Sequence, residues 1–219
     1  MSGPPIFISC WPEMPVLPLP GQPVLVRVVT GQSRQAARQE LRTVLRRILA
    51  AWTDLSPGQL PLCETAHGPI WLGRLGGHDL DINLSYAERE GWIGLIRAGR
   101  IGVDAMQIQQ IPEAEEVARH FLGGVSLANI QQSSDPAMAF AEAWTELEAR
   151  LKCLKQELNE WQVTREFATD GCAVQTIISP DRLMVTVASV TKTTEKYASL
   201  FAGPTSMADA GATSRSAAF

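Results

Sequence analysis

The chain has 219 residues, 45% of them hydrophobic, and a formal net charge of −4 at pH 7. This is enough apolar sequence for a sizeable core, as one large domain or two small ones. The negative charge argues against a general nucleic-acid-binding protein, which would carry a basic surface. No apolar run reaches the roughly 20 residues of a membrane-spanning helix. Nor does the N-terminus resemble a signal peptide, so we expect a cytoplasmic protein without a membrane partner.

The four cysteines show no spacing that is typical of a metal site. Cys10, Cys63, Cys153 and Cys172 form neither a Cys-x-x-Cys motif nor a Cys/His cluster. We therefore expect reduced thiols in a cytoplasmic protein, with Cys153 serving packing rather than chemistry.

The N-terminal part predicts an irregular entry followed by a strand and a helix. Residues 1–23 hold half of the 14 prolines and should have little regular structure. The β-branched run 24–30 predicts a strand. Ser33 can cap a helix over about 34–52, whose predicted buried face consists of Leu41, Val44, Leu45, Ile48 and Leu49. Arginines recur every four residues on its other face, at 34, 38, 42 and 46, and a solvated face is the simplest interpretation of that row.

Two short segments follow a loop predicted over 57–69. Leu80, Ile82 and Leu84 alternate with Asp81, Asn83 and Ser85, which predicts a half-buried strand. A further strand is predicted over 92–96. The sequence Ile101-Gly102-Val103-Asp104 then predicts a short apolar strand that ends in a carboxylate.

The longest predicted helix lies in the second half. A short helix from Pro112 to about 122 and a polar loop over 123–135 precede it, and a terminal hairpin over 173–178 and 183–188 follows. Asp135 can cap the long helix, Pro136 suits its first turn and Asn159 can end it. Its apolar stripe, at helical spacing, consists of Phe140, Trp144, Leu147, Leu151, Leu154 and Leu158. Small residues dominate from 202 onward and predict a disordered tail.

Glu148 and Lys152 lie four residues apart at the edge of that stripe, and Lys155 continues the edge. A Glu four residues before a Lys is also the favoured order of an ordinary surface ion pair. The alternative is that both charges are partly desolvated and directed into a cleft.

Taken together, two segments resemble the signature motifs of a known enzyme family. A Gly-Val-Asp strand at 102–104 precedes, by about forty residues, a helix with Trp144, Glu148 and Lys152 in a Trp-x-x-x-Glu-Ala-x-x-Lys pattern. This pair, in this order and spacing, resembles the 4'-phosphopantetheinyl transferases, and most closely the class that activates surfactin-type synthetases. Weaker similarity includes the arginine-rich first helix, a Gly-Pro at 68–69 and an Asn-Leu-Ser at 83–85.

The resemblance implies an α+β fold of two similar α/β subdomains, packed as a pseudo-dimer with the coenzyme site in the cleft between them. The subdomains would span 1–99 and 100–200, followed by a tail over 201–219. The protein would then be a monomer with internal pseudo-symmetry.

The resemblance also implies a holo-acyl-carrier-protein synthase type of activity, which transfers phosphopantetheine from coenzyme A to a serine of an acyl or peptidyl carrier protein with Mg²⁺. Asp104 and Glu148 would bind the metal, and Glu148 and Lys152 would be catalytic. The implied coenzyme contacts are Arg38, Ser85, Tyr86, Asp104 and Lys152.

Three departures from the family pattern leave an alternative open. Met106 stands where a second acid is usual, Tyr86 where a histidine is usual, and His67-Gly68-Pro69 lacks the lysine of a Gly-Lys-Pro segment. A thioether is a poor magnesium ligand, and a phenol has no positive charge at neutral pH. The alternative is a non-catalytic relative that keeps the fold and binds a carrier domain or another protein.

Overall fold

The computed structural model describes residues 4–30, 33–64, 70–72, 79–158 and 171–192. These ranges form a mixed α+β fold, which confirms the fold class at that level. The strands are β1 (Phe7–Cys10), β2 (Val24–Val29), β3 (Leu62–Glu64), β4 (Ile70–Leu72), β5 (Leu80–Ala87), β6 (Glu90–Arg97), β7 (Gly99–Gln107), β8 (Ala173–Ile178) and β9 (Leu183–Thr191). The helices are α1 (Arg34–Thr53), α2 (Ala114–Phe121), α3 (Gly123–Gln132) and α4 (Pro136–Leu154). His67-Gly68-Pro69 and the predicted tail lie outside the described residues.

The first layer consists of α1 on a four-stranded sheet with the order β1-β2-β6-β5. α1 begins as predicted, since the Ser33 side chain accepts a hydrogen bond from the Ala36 N–H at 3.5 Å. The predicted apolar face of α1 is buried against β2, β5 and β6, as Leu41, Val44, Leu45, Ile48 and Leu49. Large aliphatic side chains therefore separate this helix from its sheet.

The second layer consists of α4 on a three-stranded sheet with the order β7-β9-β8. α4 begins as predicted: the Asp135 side chain accepts a hydrogen bond from the Met138 N–H at 3.1 Å, and Pro136 is the first helical residue. Strands β8 and β9 form the predicted hairpin. Within the described residues, none of the helices is long and apolar enough to cross a membrane.

The buried face of α4 agrees only in part with the predicted stripe, of which Phe140 and Leu151 are buried, at 3% and 2% exposed. The fully buried residues that recur every four positions are small: Ala141, Thr145, Ala149 and Cys153, each 0% exposed. Trp144 and Leu147 instead pack, half-buried, in a cluster with α2 and α3. Small side chains occupy this face because α4 lies close to β7. At Gly102 of β7, a Cβ atom would meet the Ala149 carbonyl oxygen and the Cys153 nitrogen. The spacing of apolar residues alone does not show which of two neighbouring helix faces must carry small side chains to pack against the sheet.

Several predicted boundaries were also wrong. α4 ends at Leu154, with Lys155 in the left-handed region (φ 58°), rather than at Asn159, so Leu158 lies beyond the helix. β7 continues past Asp104 to Gln107 because its last residues pair with β9. The predicted polar loop over 123–135 contains α3, whose Leu127 and Ile130 pack against the apolar cluster under α4. Within the predicted irregular entry, the proline-free β1 pairs with β2 in parallel.

The two sheets meet in a shared apolar core. Leu25, Trp92 and Ile96 of the first sheet pack with Ile101, Val103, Val185 and Val187 of the second. The chain passes between the sheets at Ala98 (φ 50°), which joins β6 to β7. As a result, β5 of the first sheet and β7 of the second lie next to each other.

Candidate functional site

Asp104 lies within β7, where its side chain is directed towards α4. The residue is only 8% exposed. Its Oδ1 atom lies 2.6 Å from the Lys152 Nζ atom and accepts a hydrogen bond from the Ser85 hydroxyl at 3.2 Å. Lys152 also donates to the Val103 carbonyl oxygen at 3.3 Å. The ammonium group on α4 is thus bonded directly to the strand that carries the carboxylate.

Glu148 lies one helical turn before Lys152 and completes the cluster. Its Oε2 atom is 3.8 Å from the Lys152 Nζ atom, and its side chain is 22% exposed. Burial raises the pKa of the Glu148 carboxyl above its ordinary value, the Asp104 charge adds to this and the Lys152 charge opposes it. Glu148 is therefore a stronger proton acceptor, once ionised, than an ordinary surface carboxylate.

The structure brings Asp104 together with Glu148 and Lys152, which follow it by more than forty residues in the sequence. Glu148 and Lys152 are more than an isolated surface pair, because the shorter ionic contact of Lys152 is with Asp104 on another element. The roles of these three residues towards a coenzyme or a metal stay predictions.

The donor set of this cluster suits a metal ion that retains water. Within the described ranges, no group of three or more His, Cys, Asp or Glu side chains is arranged to hold a metal ion. Mg²⁺, however, is commonly bound by one or two carboxylates together with waters and substrate phosphates. Asp104 and Glu148 supply two hard oxygen donors on facing elements, and they fit Mg²⁺ bound in that manner.

Met106 lies two residues after Asp104 but has apolar surroundings. Its side chain is half-buried and packs against two apolar clusters, which include Phe140, Ala141 and Met184. It offers no oxygen to a cation. The environment of Met106 is thus that of a core residue at the edge of the cluster.

A second polar cluster lies on the opposite face of β5. Tyr86 follows Ser85, and successive strand residues point to opposite faces. The Tyr86 hydroxyl accepts hydrogen bonds from the Nε atoms of Arg34, at 2.5 Å, and Arg38, at 2.8 Å. Both guanidinium groups also lie over the ring, 5.3 Å from its centroid. Two cations held by one phenol form a positively charged surface that suits an anionic group.

The predicted coenzyme contacts therefore fall into two groups. Arg38 and Tyr86 belong to the α1 face of the first sheet, whereas Ser85, Asp104 and Lys152 meet on the β7 side. Among the described residues, no hydrogen bond or ion pair joins a residue of one group to a residue of the other. Ser85 is 6% exposed, and its hydroxyl bonds to the protein. Its predicted contact with the coenzyme stays a prediction.

Sequence reasoning missed several residues that shape the site. Asp81 accepts hydrogen bonds from the Ile101 N–H, at 2.9 Å, and from Lys155 Nζ, at 3.0 and 3.1 Å. Asn83 accepts one from the Val103 N–H at 2.9 Å. The alternation of polar residues in β5 was the available signal, and a solvent-facing side was its simplest interpretation. In the structure those residues face β7 instead.

Comparison with protein families gives a match in the second half of the chain. Residues 100–197 match the family model of the 4'-phosphopantetheinyl transferase superfamily. The match covers the part of the chain with Asp104, Glu148 and Lys152 and leaves out Arg38, Ser85 and Tyr86. No curated protein shows significant similarity to the chain.

Proposed function

We propose that this protein is a Mg²⁺-dependent 4'-phosphopantetheinyl transferase that modifies a serine of an acyl or peptidyl carrier protein. The observation that carries the proposal is the convergence of Asp104 on β7 with Glu148 and Lys152 on α4. These residues lie within the segment that matches the superfamily. The surfactin-synthetase-activating class remains the closest resemblance by motif.

In the proposed reaction, the carrier serine oxygen attacks the β-phosphate of coenzyme A. A new P–O bond to serine forms as the bond to the α-phosphate oxygen breaks, which releases 3',5'-ADP. Such transfer depends on positioning and charge neutralisation more than on covalent catalysis. Glu148 accepts the serine proton directly or through a water. Lys152 supplies a compact positive charge for the diphosphate.

A bound Mg²⁺ would neutralise phosphate charge and orient the diphosphate. Asp104 and Glu148 would hold it, and waters and phosphate oxygens would complete the shell, because Met106 contributes no oxygen. Lys152 has a separate task, since its ammonium group already balances the charge of Asp104. It would offer a remaining N–H group to the diphosphate while staying bonded to Asp104.

The coenzyme would lie in a cleft between two similar subdomains, 1–99 and 100–200, packed as a pseudo-dimer. Each layer consists of one long helix on a sheet, and Ser85 of the first contacts Asp104 of the second. Arg38 would contact the adenylate end of the coenzyme, with Tyr86 holding the guanidinium group in place. Arg34 bonds to the same hydroxyl and would add a second cation.

A non-catalytic relative that binds a carrier domain is the second candidate. The apolar packing of Met106 favours it, because the described residues then offer only two carboxylates, Asp104 and Glu148, to a metal ion. Mass spectrometry separates the two candidates. Apo carrier proteins from fatty-acid, polyketide and nonribosomal peptide systems would be incubated with coenzyme A, Mg²⁺ and this protein. Gain of one phosphopantetheinyl group by any carrier supports the enzyme, and carrier binding without modification supports the relative.

Asp104→Ala and Glu148→Ala should each lower the transfer rate by about 100-fold or more, because each removes one of the two carboxylates that would hold the metal. The measurement is the Mg²⁺-dependent rate of carrier modification, with melting curves to show that the variants fold. Glu146→Ala is a matched control. Glu146 pairs with Arg150 in the same i,i+4 arrangement on α4 and makes no contact with Asp104. If either site variant keeps the wild-type rate, the metal assignment is wrong.

Lys152→Ala should raise the coenzyme KM and lower the rate, whereas Lys152→Arg should restore only part of the loss. A planar guanidinium group does not reproduce a compact ammonium group that lies 2.6 Å from Asp104 and 3.8 Å from Glu148. Steady-state kinetics against coenzyme A give both parameters. Unchanged kinetics in Lys152→Ala would reduce Lys152 to a structural partner of the two carboxylates.

A further inference from the structure

β5 is joined to β7 by hydrogen bonds between β5 side chains and β7 backbone N–H groups. Three alternating β5 residues each accept a hydrogen bond from an alternating N–H group of β7. The pairs are Asp81 Oδ2 with Ile101 N at 2.9 Å, Asn83 Oδ1 with Val103 N at 2.9 Å, and Ser85 Oγ with Ala105 N at 3.1 Å. Each pair is separated by twenty residues, so the two strands run in the same direction in a fixed register. This side-chain ladder joins the two sheets at the candidate site.

Ser85 differs from the other two members of the ladder. Asp81 and Asn83 use carbonyl-type oxygens, which only accept. A hydroxyl that has accepted a hydrogen bond still has a proton to donate, and the Ser85 hydroxyl donates it to Asp104 Oδ1 at 3.2 Å. Within the ladder, Ser85 alone links the strand register to the orientation of the Asp104 carboxylate.

The Asp104 carboxylate is held from two sides through the same oxygen. Ser85 donates to Oδ1 from β5, and Lys152 donates to Oδ1 from α4, at 2.6 Å. Among the described residues, every hydrogen bond and ion pair of this carboxylate falls on Oδ1. Two donors on one oxygen restrict rotation of the carboxylate and leave Oδ2 available to a cation. Both Ser85 and Asp104 are more than nine-tenths buried, so bulk water contributes little to this orientation.

We propose that Ser85 is a positioning residue that orients Asp104 so that Oδ2 faces the divalent cation. This inference rests on the proposed function, since it concerns the carboxylate that would bind Mg²⁺. It assigns to Ser85 a role through Asp104, beyond the coenzyme contact that the motif suggested. It also accounts for a serine at the end of a ladder whose other members are Asp and Asn.

A matched pair of variants separates positioning from general stability. Ser85→Ala and Asn83→Ala each delete one ladder acceptor and leave one β7 N–H group without its partner. Both should lower the melting temperature to a similar extent. Only Ser85→Ala also frees the Asp104 carboxylate to rotate. Removal of a residue that orients a metal ligand typically lowers metal affinity by about 10- to 100-fold.

The probe is Mn²⁺ alone, whose binding to the full chain is followed by electron paramagnetic resonance. We expect Ser85→Ala to weaken Mn²⁺ binding by at least about tenfold. Asn83→Ala should stay close to wild type, and Ser85→Thr, which keeps the hydroxyl, should recover most of the affinity. Equal losses in the Ser85 and Asn83 variants, no loss in Ser85→Ala, or no Mn²⁺ binding by the wild type would each overturn the inference. If Ser85→Ala does not fold, Ser85→Cys replaces it, since a thiol has a similar size and is a weaker donor. Ser85→Cys should also lose Mn²⁺ affinity, but to a smaller extent.

The transfer assay distinguishes this inference from the proposed function. If the wild type modifies no carrier while Mn²⁺ affinity still depends on Ser85 and not on Asn83, the transferase assignment fails and the positioning role stands. If the wild type modifies carriers and Ser85→Ala keeps both its Mn²⁺ affinity and its Mg²⁺ requirement, the positioning role fails and the transferase assignment stands.

Discussion

The two helix-on-sheet layers solve the same packing problem in opposite ways. α1 rests on its sheet through large side chains such as Leu45 and Ile48, both 0% exposed. α4 rests on β7 and β9 through Ala141, Thr145, Ala149 and Cys153, also fully buried. Large side chains hold a helix about 10 Å from a partner, whereas small ones let the backbones approach. The layer with the narrower spacing is the one that carries Asp104, Glu148 and Lys152.

Close approach has a chemical consequence. An aspartate is short, so it contacts a lysine on a facing helix only where helix and strand lie close together. The same proximity lets Thr145 on α4 and Thr186 on β9 bond through their hydroxyls at 2.7 Å, with both residues fully buried. In the α1 layer, the arginines instead lie over Tyr86 at the margin of the packed face. The α1 layer thus carries its arginines at the margin of the packed face. The α4 layer carries Asp104, Glu148 and Lys152 where the helix meets the strand.

Gly102→Ala should have the largest effect, because it tests the narrow spacing directly. The new methyl group would meet the Ala149 carbonyl oxygen and the Cys153 nitrogen, which are backbone atoms of α4 and cannot rotate away. We expect a loss of about 3 kcal/mol or more in the free energy of unfolding. Any folded fraction should also lose transfer activity, because α4 must move away from Asp104. Urea unfolding and the carrier assay measure the two effects.

Gly91→Ala is the matched control in the other layer. There the three atoms nearest to the new methyl group belong to the side chain of Leu41, which can shift more easily than a backbone. We expect about 1 kcal/mol of destabilisation and nearly normal transfer by the folded protein. Equal losses from the two glycine variants would show that the spacing of the layers does not matter.

Much of the first layer could be predicted from the sequence, because its signals are local. The cap at Ser33 and the apolar period of α1 fix which residues are buried, and both predictions were confirmed. The face of α4 could not be predicted in the same way. Its apolar residues form one stripe and its small residues another, and only the partner strands decide which of the two packs against the sheet. Gly102 was visible in the sequence, but nothing local says that a helix lies against it.

The candidate site shows the same division. The resemblance of the two motifs to the 4'-phosphopantetheinyl transferases implied one site for Asp104, Glu148 and Lys152 before any fold was known. The contact of the polar side of β5 with β7 could not be predicted, because the same alternation is typical of a strand with one face in solvent. Whether Asp81, Asn83 and Ser85 face water or a neighbouring strand depends on where β7 lies, which is a long-range property.

Met106→Glu should have an intermediate effect. Residue 106 lies beside Asp104, where a carboxylate could in principle join the metal shell. Because its side chain packs near Phe140, Ala141 and Met184, the new carboxylate would instead be desolvated without a partner. We expect about 1–3 kcal/mol of destabilisation and an unchanged Mg²⁺ requirement.

Met106→Leu is the volume-matched control for that substitution and should cost less than about 1.5 kcal/mol. A melting curve and a Mg²⁺ titration of the transfer rate report the two properties separately. A lower Mg²⁺ requirement in Met106→Glu, with stability retained, would show that residue 106 can reach the metal after all.

The smallest effect concerns two cysteines that pack where α4 lies against its sheet. Cys153 and Cys172 are free thiols that pack in one cluster with Ala149 and Ala188. A hydrogen bond from Cys153 lowers the pKa of Cys172 to about 7, aided by the positive charge of Arg150 and opposed by burial. The same hydrogen bond and burial raise the pKa of Cys153, so Cys153 remains the donor. Cys172 should thus be partly ionised near neutral pH although it carries no assigned role.

Alkylation by iodoacetamide tests this contact in a Cys10→Ser, Cys63→Ser background, in which Cys172 is the accessible thiol. Because the thiolate is the reactive form, its rate should rise with a midpoint near pH 7. The midpoint should move up towards the ordinary thiol range, about 8.5, in Cys153→Ala and stay low in Cys153→Ser, which keeps a donor. Since folding lowers this pKa, its contribution to stability is complete above the ordinary thiol pKa and is lost as the pH falls through about 7. A midpoint that does not depend on residue 153 would mean that Cys153 does not donate the hydrogen bond that lowers the pKa of Cys172.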